Sequence, residues 1–318
     1  MSLKKKHQPA GQLINQPADK TPALSPAARS SPVRTVLSSL WSTASGWFCN
    51  IILIIWLLAA LLSLLWTPYP LLRQEKNHIL QPPSASHLMG TDAAGADILS
   101  WLLKGSGTEL LIVLLVTAVT FLLGCAGTAL TVSSRSWVSQ VSVVVIDTLM
   151  AVPTIVIAMI VAVPLGKSVA IVIVACSLAY SFTIMRIVRP QARLAARSDY
   201  VRAARWAGAG DWEVFRRHIL PSIAPMMTVQ LSECAGTAVL AEIGLTYLGI
   251  GLPADIPSWG HSLAASSQLI GVYPLTVIWS GLCATLAVAA LILCGDQLRE
   301  CLDPVTNPRL RSAVEAQS

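Results

Sequence analysis

Three acidic side chains lie within long apolar stretches of this 318-residue sequence: Asp147, Glu233 and Glu242. Because an ionisable group is costly inside a bilayer, each should face other helices or a polar cavity. There it could bind the amino group of another molecule, or it could hydrogen-bond a neighbouring helix. We expect a structural role for Asp147 and leave both roles open for Glu233. Glu242 lies near the outer end of its stretch, where a gate would lie.

Other sequence patterns that could support catalysis are incomplete in this chain. Gly166, Lys167 and Ser168 look like the end of a phosphate-binding loop, but Val161 stands where that loop needs another glycine. The five histidines are isolated from one another, and the seven cysteines form no Cys-x-x-Cys pair. The sequence therefore predicts no catalytic residues, no metal site, no cofactor bound by this chain and no disulfides. A polytopic membrane enzyme would need such groups to converge at one membrane depth.

The elements that position the three carboxylates are predicted from hydropathy. Hydrophobic residues make up 54% of the chain and charged residues 12%, compared with about 25% charged residues in a typical soluble domain. Six apolar runs approach or exceed the roughly 20 residues that a membrane helix needs. They cover approximately residues 48–66, 110–132, 141–165, 168–185, 223–250 and 272–294. The predicted fold is an all-α integral membrane protein with six transmembrane helices, in which a 67–109 external segment separates the first helix from a 110–295 core.

The orientation follows from the basic residues between these runs. Of the 22 lysines and arginines, 18 lie in residues 1–47, 133–140, 186–222 and the segment after Cys294. Basic residues favour the cytoplasmic side, so both termini and the 186–222 loop are predicted there. Residues 1–47 and 296–318 are then cytoplasmic tails. The first tail is rich in Ser, Pro and Ala and is predicted to be disordered. A signal peptide is the alternative, but its apolar segment should follow the basic cluster directly.

Residues 199–221 of the basic loop predict a compact structure, which we call the knob. Tyr200 to Ala207 forms a short helix opened by Ser198 or Asp199, and Gly208 suits a left-handed position at its end. Asp211 suits the N-cap of a second helix, 212–219, which Pro221 is expected to stop at the membrane. From periodicity alone, a knob that docks on a partner and an amphipathic helix lying along the headgroups are equally good interpretations.

The knob resembles the signature loop of ABC importer permeases, in which Glu-Ala-Ala, three residues, Gly and an Ile-x-Leu-Pro-type ending form a coupling helix. The matching positions are Ala203, Ala204, Gly208, His218, Ile219, Leu220 and Pro221. Arg202 stands where the family has glutamate, a departure that affects one salt bridge to the ATPase and not the docking itself.

Three further segments resemble the dipeptide, oligopeptide and nickel permeases of this family, in the family's order. The first is the Leu-Gly-Thr-Asp-x-x-Gly-Arg-Asp segment, matched by Gly90, Thr91, Asp92, Gly95 and Asp97, with Ala96 replacing the arginine. Residues 242–260 resemble the family's Leu-Gly-Leu-Gly run and the Pro-Ser-Trp-Gly motif that follows it. Residues 295–304 resemble the motif with which the family's sequences end. We expect a capped turn at residues 90–97. Trp259 is interpreted as an interfacial anchor, in a loop that closes the pathway or docks a partner.

The resemblance implies a type I ABC importer permease fold, with the coupling helix between spans four and five. It implies a second, homologous permease, two ATPases that bind ATP and Mg²⁺, and an external substrate-binding protein. The chain itself would not be an enzyme, and it would lie in the bacterial inner membrane. Short peptides are the expected substrate, with nickel or metal chelates as the alternative. A channel or secondary transporter would need no ATPase.

Overall fold

A computed structural model describes residue 41 and residues 43–71 and 78–302. Over these ranges the chain is helical and has no named strand. The helices are α1 Ala44–Leu65, α2 Ile98–Thr131, α3 Ser136–Leu149, α4 Thr154–Leu165, α5 Val169–Ala196, α6 Asp199–Trp206, α7 Asp211–Val214, α8 Leu220–Tyr247, α9 Trp259–Ser267 and α10 Leu275–Leu302. Most of the predicted disordered tail (1–47), and residues 303–318 of the predicted C-terminal tail, lie outside the described residues.

Helices α2, α5 and α8 form the centre of the bundle. Each packs against the other two, α1 and α10 pack on one side, and α3 and α4 pack against α5 on the other. The buried core between them is built largely from small and β-branched side chains, such as Ala175, Ala179 and Ala238. Small residues let helix backbones approach closely, which is how helices associate in a membrane. In contrast, α1 exposes large apolar side chains along much of its length, as expected of a helix that contacts lipid.

Four described helices are long and apolar enough to cross a membrane, namely α1, α2, α5 and α10, and α3 with α4 gives up to five. The predicted third span is not one continuous helix. Helices α3 and α4 meet at 88°, because Pro153 has no N–H to donate and disfavours helical geometry at Val152. Helix α8 has 28 residues but contains Glu233, Glu242 and two prolines, and it is not among the helices that are apolar enough by composition.

Several helices extend beyond the apolar runs that predict them. Helix α2 begins at Ile98, well before residue 110, and α5 continues from residue 185 to Ala196. Helix α10 runs to Leu302, so part of the segment predicted as a C-terminal tail is helical. Hydropathy detects only the apolar part of a helix, whereas caps and packing set its ends. The longer α2 brings Glu109, which lies outside the predicted run, into the bundle.

Candidate functional site

The knob lies between α5 and α8 and is attached to the bundle by buried apolar side chains. Val201, Val214, Phe215 and Ile219 are each at most 1% exposed and pack in one cluster with residues of α5 and α8. Gly208 has φ +94°, the left-handed conformation that the sequence predicts. The first helix is Asp199–Trp206, and Ser198 occupies its N-cap position. These contacts hold the knob in a defined orientation relative to the bundle.

Asp211 takes a different role from the one predicted. Gly210 occupies the N-cap position and Asp211 is the first residue of α7. Its carboxylate accepts hydrogen bonds from Ser133 Oγ at 2.9 Å and from Ser134 N at 3.1 Å, in the loop between α2 and α3. Arg205 completes the contact at 3.6 Å. Partial burial acts to raise the pKa of Asp211, but these serine hydrogen bonds and Arg205 lower it below its ordinary value. Asp211 therefore joins the knob to the neighbouring loop and does not cap its second helix.

Pro221 does not stop the second helix, which is a second correction. Residues 215–219 form a π-helical turn that runs directly into α8, and the N–H of Leu220 bonds to the carbonyl of Phe215. A proline inside an α-helix clashes with the carbonyl four residues earlier. The wider turn precedes Pro221 and lets the chain continue as a helix. The end of the knob and the start of α8 are consequently one connected element.

The outer face of the knob exposes aromatic and basic side chains. Trp206 is 84% exposed, Trp212 64% and Tyr200 51%. Arg202 contacts Asp199 at 3.5 Å and lies 5.9 Å from the centre of the Trp206 ring. Of the other predicted coupling residues, Ala203, Gly208 and Pro221 are exposed, and Ala204, His218 and Leu220 are half-buried. A contiguous surface of this composition resembles the aromatic and arginine-rich centre of a protein–protein interface.

Glu233 lines an open cavity of about 250 Å³ between α5 and α8, whose walls also include Ile184 and Ile187. Its Oε2 accepts a hydrogen bond from Gln230 Nε2 at 3.0 Å. Tyr180 and Thr183 of α5 and Thr237 of α8 also line the cavity. The cavity thus combines a carboxylate with amide and hydroxyl groups, which together can bind an ammonium group and hydrogen-bonding atoms of a ligand.

Asp147 lies away from that cavity and is paired with a neighbouring helix. Both of its carboxylate oxygens accept hydrogen bonds from Arg189 Nη1, at 3.1 and 3.2 Å. The pair connects α3 to α5, the geometry expected of the structural role predicted for Asp147.

Glu242 and Trp259 both lie near the end of α8 that is opposite the knob. Trp259 is 3% exposed and its ring nitrogen donates to the carbonyl oxygen of Leu102 at 3.1 Å. The interpretation of this ring as an interfacial anchor is therefore wrong, because the ring is buried in protein. Its backbone N–H donates to Glu109 Oε1 at 3.3 Å. Glu109 is a buried residue that the sequence analysis missed because it precedes the second apolar run.

The motif at residues 90–97 forms a closed turn that starts α2. Gly90 and Gly95 have φ +79° and +77°. Asp92 Oδ1 accepts from the backbone N–H groups of Ala94 and Ala96, each at 2.8 Å. Asp97 caps α2 by accepting from Ser100 N at 2.8 Å.

The remaining contacts of this motif hold the turn against the preceding segment. Asp97 Oδ1 lies 2.9 Å from His87 Nδ1. Thr91 Oγ1 accepts from Gln81 N at 2.8 Å. A cavity of about 330 Å³ separates the turn from α9 and is lined by Asp92, Trp101 and His261 among others. The geometry is that of the capped turn predicted for residues 90–97.

Comparisons with known proteins bear on this arrangement. Residues 121–307 match the family described as "Binding-protein-dependent transport system inner membrane component". The chain is 34% identical to a probable peptide ABC transporter permease of Sinorhizobium fredii, over 72% of this chain and 79% of the relative. It is 36% identical to a putative peptide transport system permease of Brucella suis, over 70% and 75%. It is 32% identical to a nickel transport system permease of Escherichia coli K12, over 84% and 96%.

Proposed function

The chain belongs to the family of binding-protein-dependent transport system inner membrane components, and we propose that it forms half of the translocation pathway of an ATP-driven importer of short peptides. It is the permease component of an ABC importer of the peptide and nickel type. The knob supports this proposal best, because it offers an anchored, solvent-exposed aromatic surface between two membrane helices.

We propose six spans, with α3 and α4 together forming the third and α8 the fifth. Helix α8 is 28 residues long, and 1.5 Å of rise per residue makes it about 42 Å, longer than the roughly 30 Å hydrocarbon layer. Its two glutamates do not prevent insertion, since Glu242 is fully buried among helices and Glu233 lines a cavity between α5 and α8. The distribution of lysine and arginine favours cytoplasmic termini and a cytoplasmic knob.

In this topology the knob is the coupling element. Two ATPase subunits that bind ATP and Mg²⁺ would receive it in a groove on their surface, and their closure would displace it. Because residues 215–219 run directly into α8, a displacement of the knob is transmitted to the helix that carries Glu233 and Glu242. ATP would thereby bias the bundle between outward-open and inward-open states. A second, homologous permease would supply the other half of the pathway, and an external binding protein would deliver the substrate.

The cavity around Glu233 supports a peptide substrate. A carboxylate can bind the amino terminus of a peptide, and the amide of Gln230 and the hydroxyl of Thr183 can bond its carbonyl groups. Two of the relatives above are named as peptide permeases and one as a nickel permease. Nickel or a metal chelate is therefore the competing substrate class, and it defines the second arm of the experiment.

The proposal is tested by purifying the full chain from its native membrane with the subunits that accompany it. We expect two ATPase subunits and a second permease to copurify. In proteoliposomes supplied with the cognate binding protein, we expect labelled di- and oligopeptides to accumulate only when ATP and Mg²⁺ are present. Accumulation of radiolabelled nickel in place of peptides would overturn the substrate. Uptake without ATP, or purification without ATPases, would overturn the importer in favour of a channel or secondary transporter.

A further inference from the structure

Two acidic side chains meet inside the bundle at the end of α8 opposite the knob. Glu109 of α2 and Glu242 of α8 are each 0% exposed, and their carboxyl groups lie close enough to interact with each other. Within the described residues, neither carboxyl group has a recorded ion pair with a lysine, arginine or histidine.

Of the four carboxyl oxygens of this pair, two accept a hydrogen bond and two do not. Glu109 Oε1 accepts from the backbone N–H of Trp259 at 3.3 Å, and Glu242 Oε1 accepts from the hydroxyl of Thr246 at 2.8 Å. Glu109 Oε2 and Glu242 Oε2 are both buried, and no donor among the residues that the structure describes bonds to either. Buried polar atoms almost always have a partner, so two neighbouring carboxyl groups that each leave one oxygen without a partner require an explanation.

We propose that Glu109 and Glu242 share one proton, held between their Oε2 atoms. A single proton gives both unpaired oxygens a partner at once, because the protonated group donates and the ionised group accepts. Two carboxylates in contact cannot both remain ionised in a site of low polarity, since each disfavours the charge of the other. Sharing a proton leaves the pair with a single negative charge, to which the Trp259 N–H and the Thr246 hydroxyl both donate.

The pair has a structural consequence, because one of its donors, the Trp259 N–H, comes from the segment that follows α8. Trp259 begins α9, and the Thr246 hydroxyl that donates to Glu242 also accepts from the backbone N–H of Leu252. The protonated pair therefore connects α2, α8 and the 248–258 loop in one hydrogen-bonded cluster. Glu109 is a positioning residue in this scheme, since it acts through Trp259 and Glu242. The inference stands on these contacts and does not rest on the proposed function.

Glutamine substitutions test the shared proton directly. Glutamine has the shape of protonated glutamic acid, and its NH₂ group can donate to the remaining carboxylate. The Glu109→Gln and Glu242→Gln variants of the full chain, purified with its partner subunits, should each retain the wild-type thermal stability. In the infrared spectrum, the carbonyl stretch of a buried carboxylic acid should be present in the wild type and lost in both variants. Glu213→Gln, which alters an exposed carboxylate on the knob, is the matched control and should leave the band unchanged.

Leucine provides the contrasting substitution. Glu109→Leu removes the partner of Glu242 without supplying a donor, so we expect the ratio of folded to unfolded complex to be roughly 5- to 30-fold lower than for Glu109→Gln. Absence of the acid band in the wild type would overturn the proposal, as would a band that survives in either glutamine variant. Equal damage from Gln and Leu at position 109 would overturn it as well. None of these measurements uses transport, so failure of the shared proton and failure of the proposed function are distinguishable.

Discussion

The segments before and after α8 contact the rest of the molecule in different ways. The knob exposes Trp206 and Trp212 by 84% and 64%, whereas Trp259 after α8 is 3% exposed and donates both its N–H groups to protein acceptors. The knob is joined to the adjacent loop by a half-exposed carboxylate, Asp211. The segment after α8 is joined to the bundle through the fully buried Glu109.

This difference indicates which segment is built to meet a partner. Trp206, Trp212 and Tyr200 of the knob are each more than half exposed in the isolated chain, so a partner could bury this aromatic area. The segment after α8 has already buried its tryptophan, and moving it would break hydrogen bonds that nothing else supplies. We therefore expect substitutions after α8 to act mainly on folding and substitutions in the knob to act mainly on coupling.

The largest effect is expected from Gly260→Ala. An added Cβ would lie 2.9 Å from Thr246 Cβ and 3.0 Å from the carbonyl oxygen of Ile243, so the α8 backbone would have to move. We expect a loss of about 1–3 kcal/mol in stability, the usual cost of overpacking a well-packed core. Thermal unfolding of the purified chain measures this loss. Gly281→Ala on α10 is the matched control, because no atom lies within 4 Å of its Cβ. Equal stability of the two variants would contradict the tight packing described for α9.

The sequence predicts the helices and the knob, but it does not predict the buried contacts at the other end of α8. Long apolar runs identify the helices, and the pattern of small residues, Gly208 and the hydrophobic end of the loop predicts the knob. The left-handed Gly208 follows from chemistry that is local to the chain. The capped turn at residues 90–97 is of the same kind, since its hydrogen bonds join residues close in sequence.

Features that depend on distant residues escape prediction. Glu109 lies outside an apolar run and acquires its role only when the packing of α2 against α8 brings it to Glu242. The serines that bind Asp211 lie about 80 residues away, and no local signal distinguishes that contact from a helix cap. The burial of Trp259 likewise arises from the close approach of α2 and α9. Contacts between residues that are distant in sequence depend on the fold, and no local pattern in a single sequence predicts them.

The next effect in size is expected from Gly208→Ala. No atom lies within 4 Å of an added Cβ, so the cost comes from φ +94° itself, about 1–2 kcal/mol for a residue with a side chain. That cost shifts the ratio of native to alternative knob conformations by roughly 5- to 30-fold. We expect ATP-driven uptake to fall while the chain still assembles. Gly210→Ala is the matched control, since Gly210 has φ −72° and equally open surroundings. A Gly208 variant that transports normally would contradict the coupling role.

A smaller effect is expected from Asp211→Ala. Removing the acceptor of the Ser133 and Ser134 hydrogen bonds should cost about 1 kcal/mol, moderated by the exposure of the site. Faster hydrogen exchange of the knob's backbone amides would report this loss. Glu213→Ala is the control, because Glu213 pairs only along its own helical segment, with Arg217 at 2.7 Å. Similar exchange in the two variants would contradict the role of Asp211 in joining the knob to the loop between α2 and α3.

The contribution of Asp211 to the stability of the knob depends on pH in a definite direction. The pKa of Asp211 is lowered from its ordinary value of 3.8 in the folded protein. Its contribution is therefore complete above about pH 4 and is lost only as the pH falls through the lower, folded pKa. Hydrogen exchange in the knob of the wild type, corrected for intrinsic rates, should show no Asp211-dependent change between pH 7 and pH 5. A change in that interval that Asp211→Ala abolishes would contradict the assignment.

The smallest effect on the chain itself is expected from Arg202→Glu, which introduces the residue of related loops. The Arg202 side chain is 61% exposed and that of Asp199 is 99% exposed, so losing their contact should change stability by less than about 0.5 kcal/mol. If the knob is a partner surface, the change should appear in binding. A groove that accommodates an arginine would repel a carboxylate, so we expect the ATPase subunits to dissociate more readily at low salt, where charge is least screened. Retention of ATPases that is unchanged at low salt would place Arg202 outside the interface and restrict the coupling surface to the aromatic side chains.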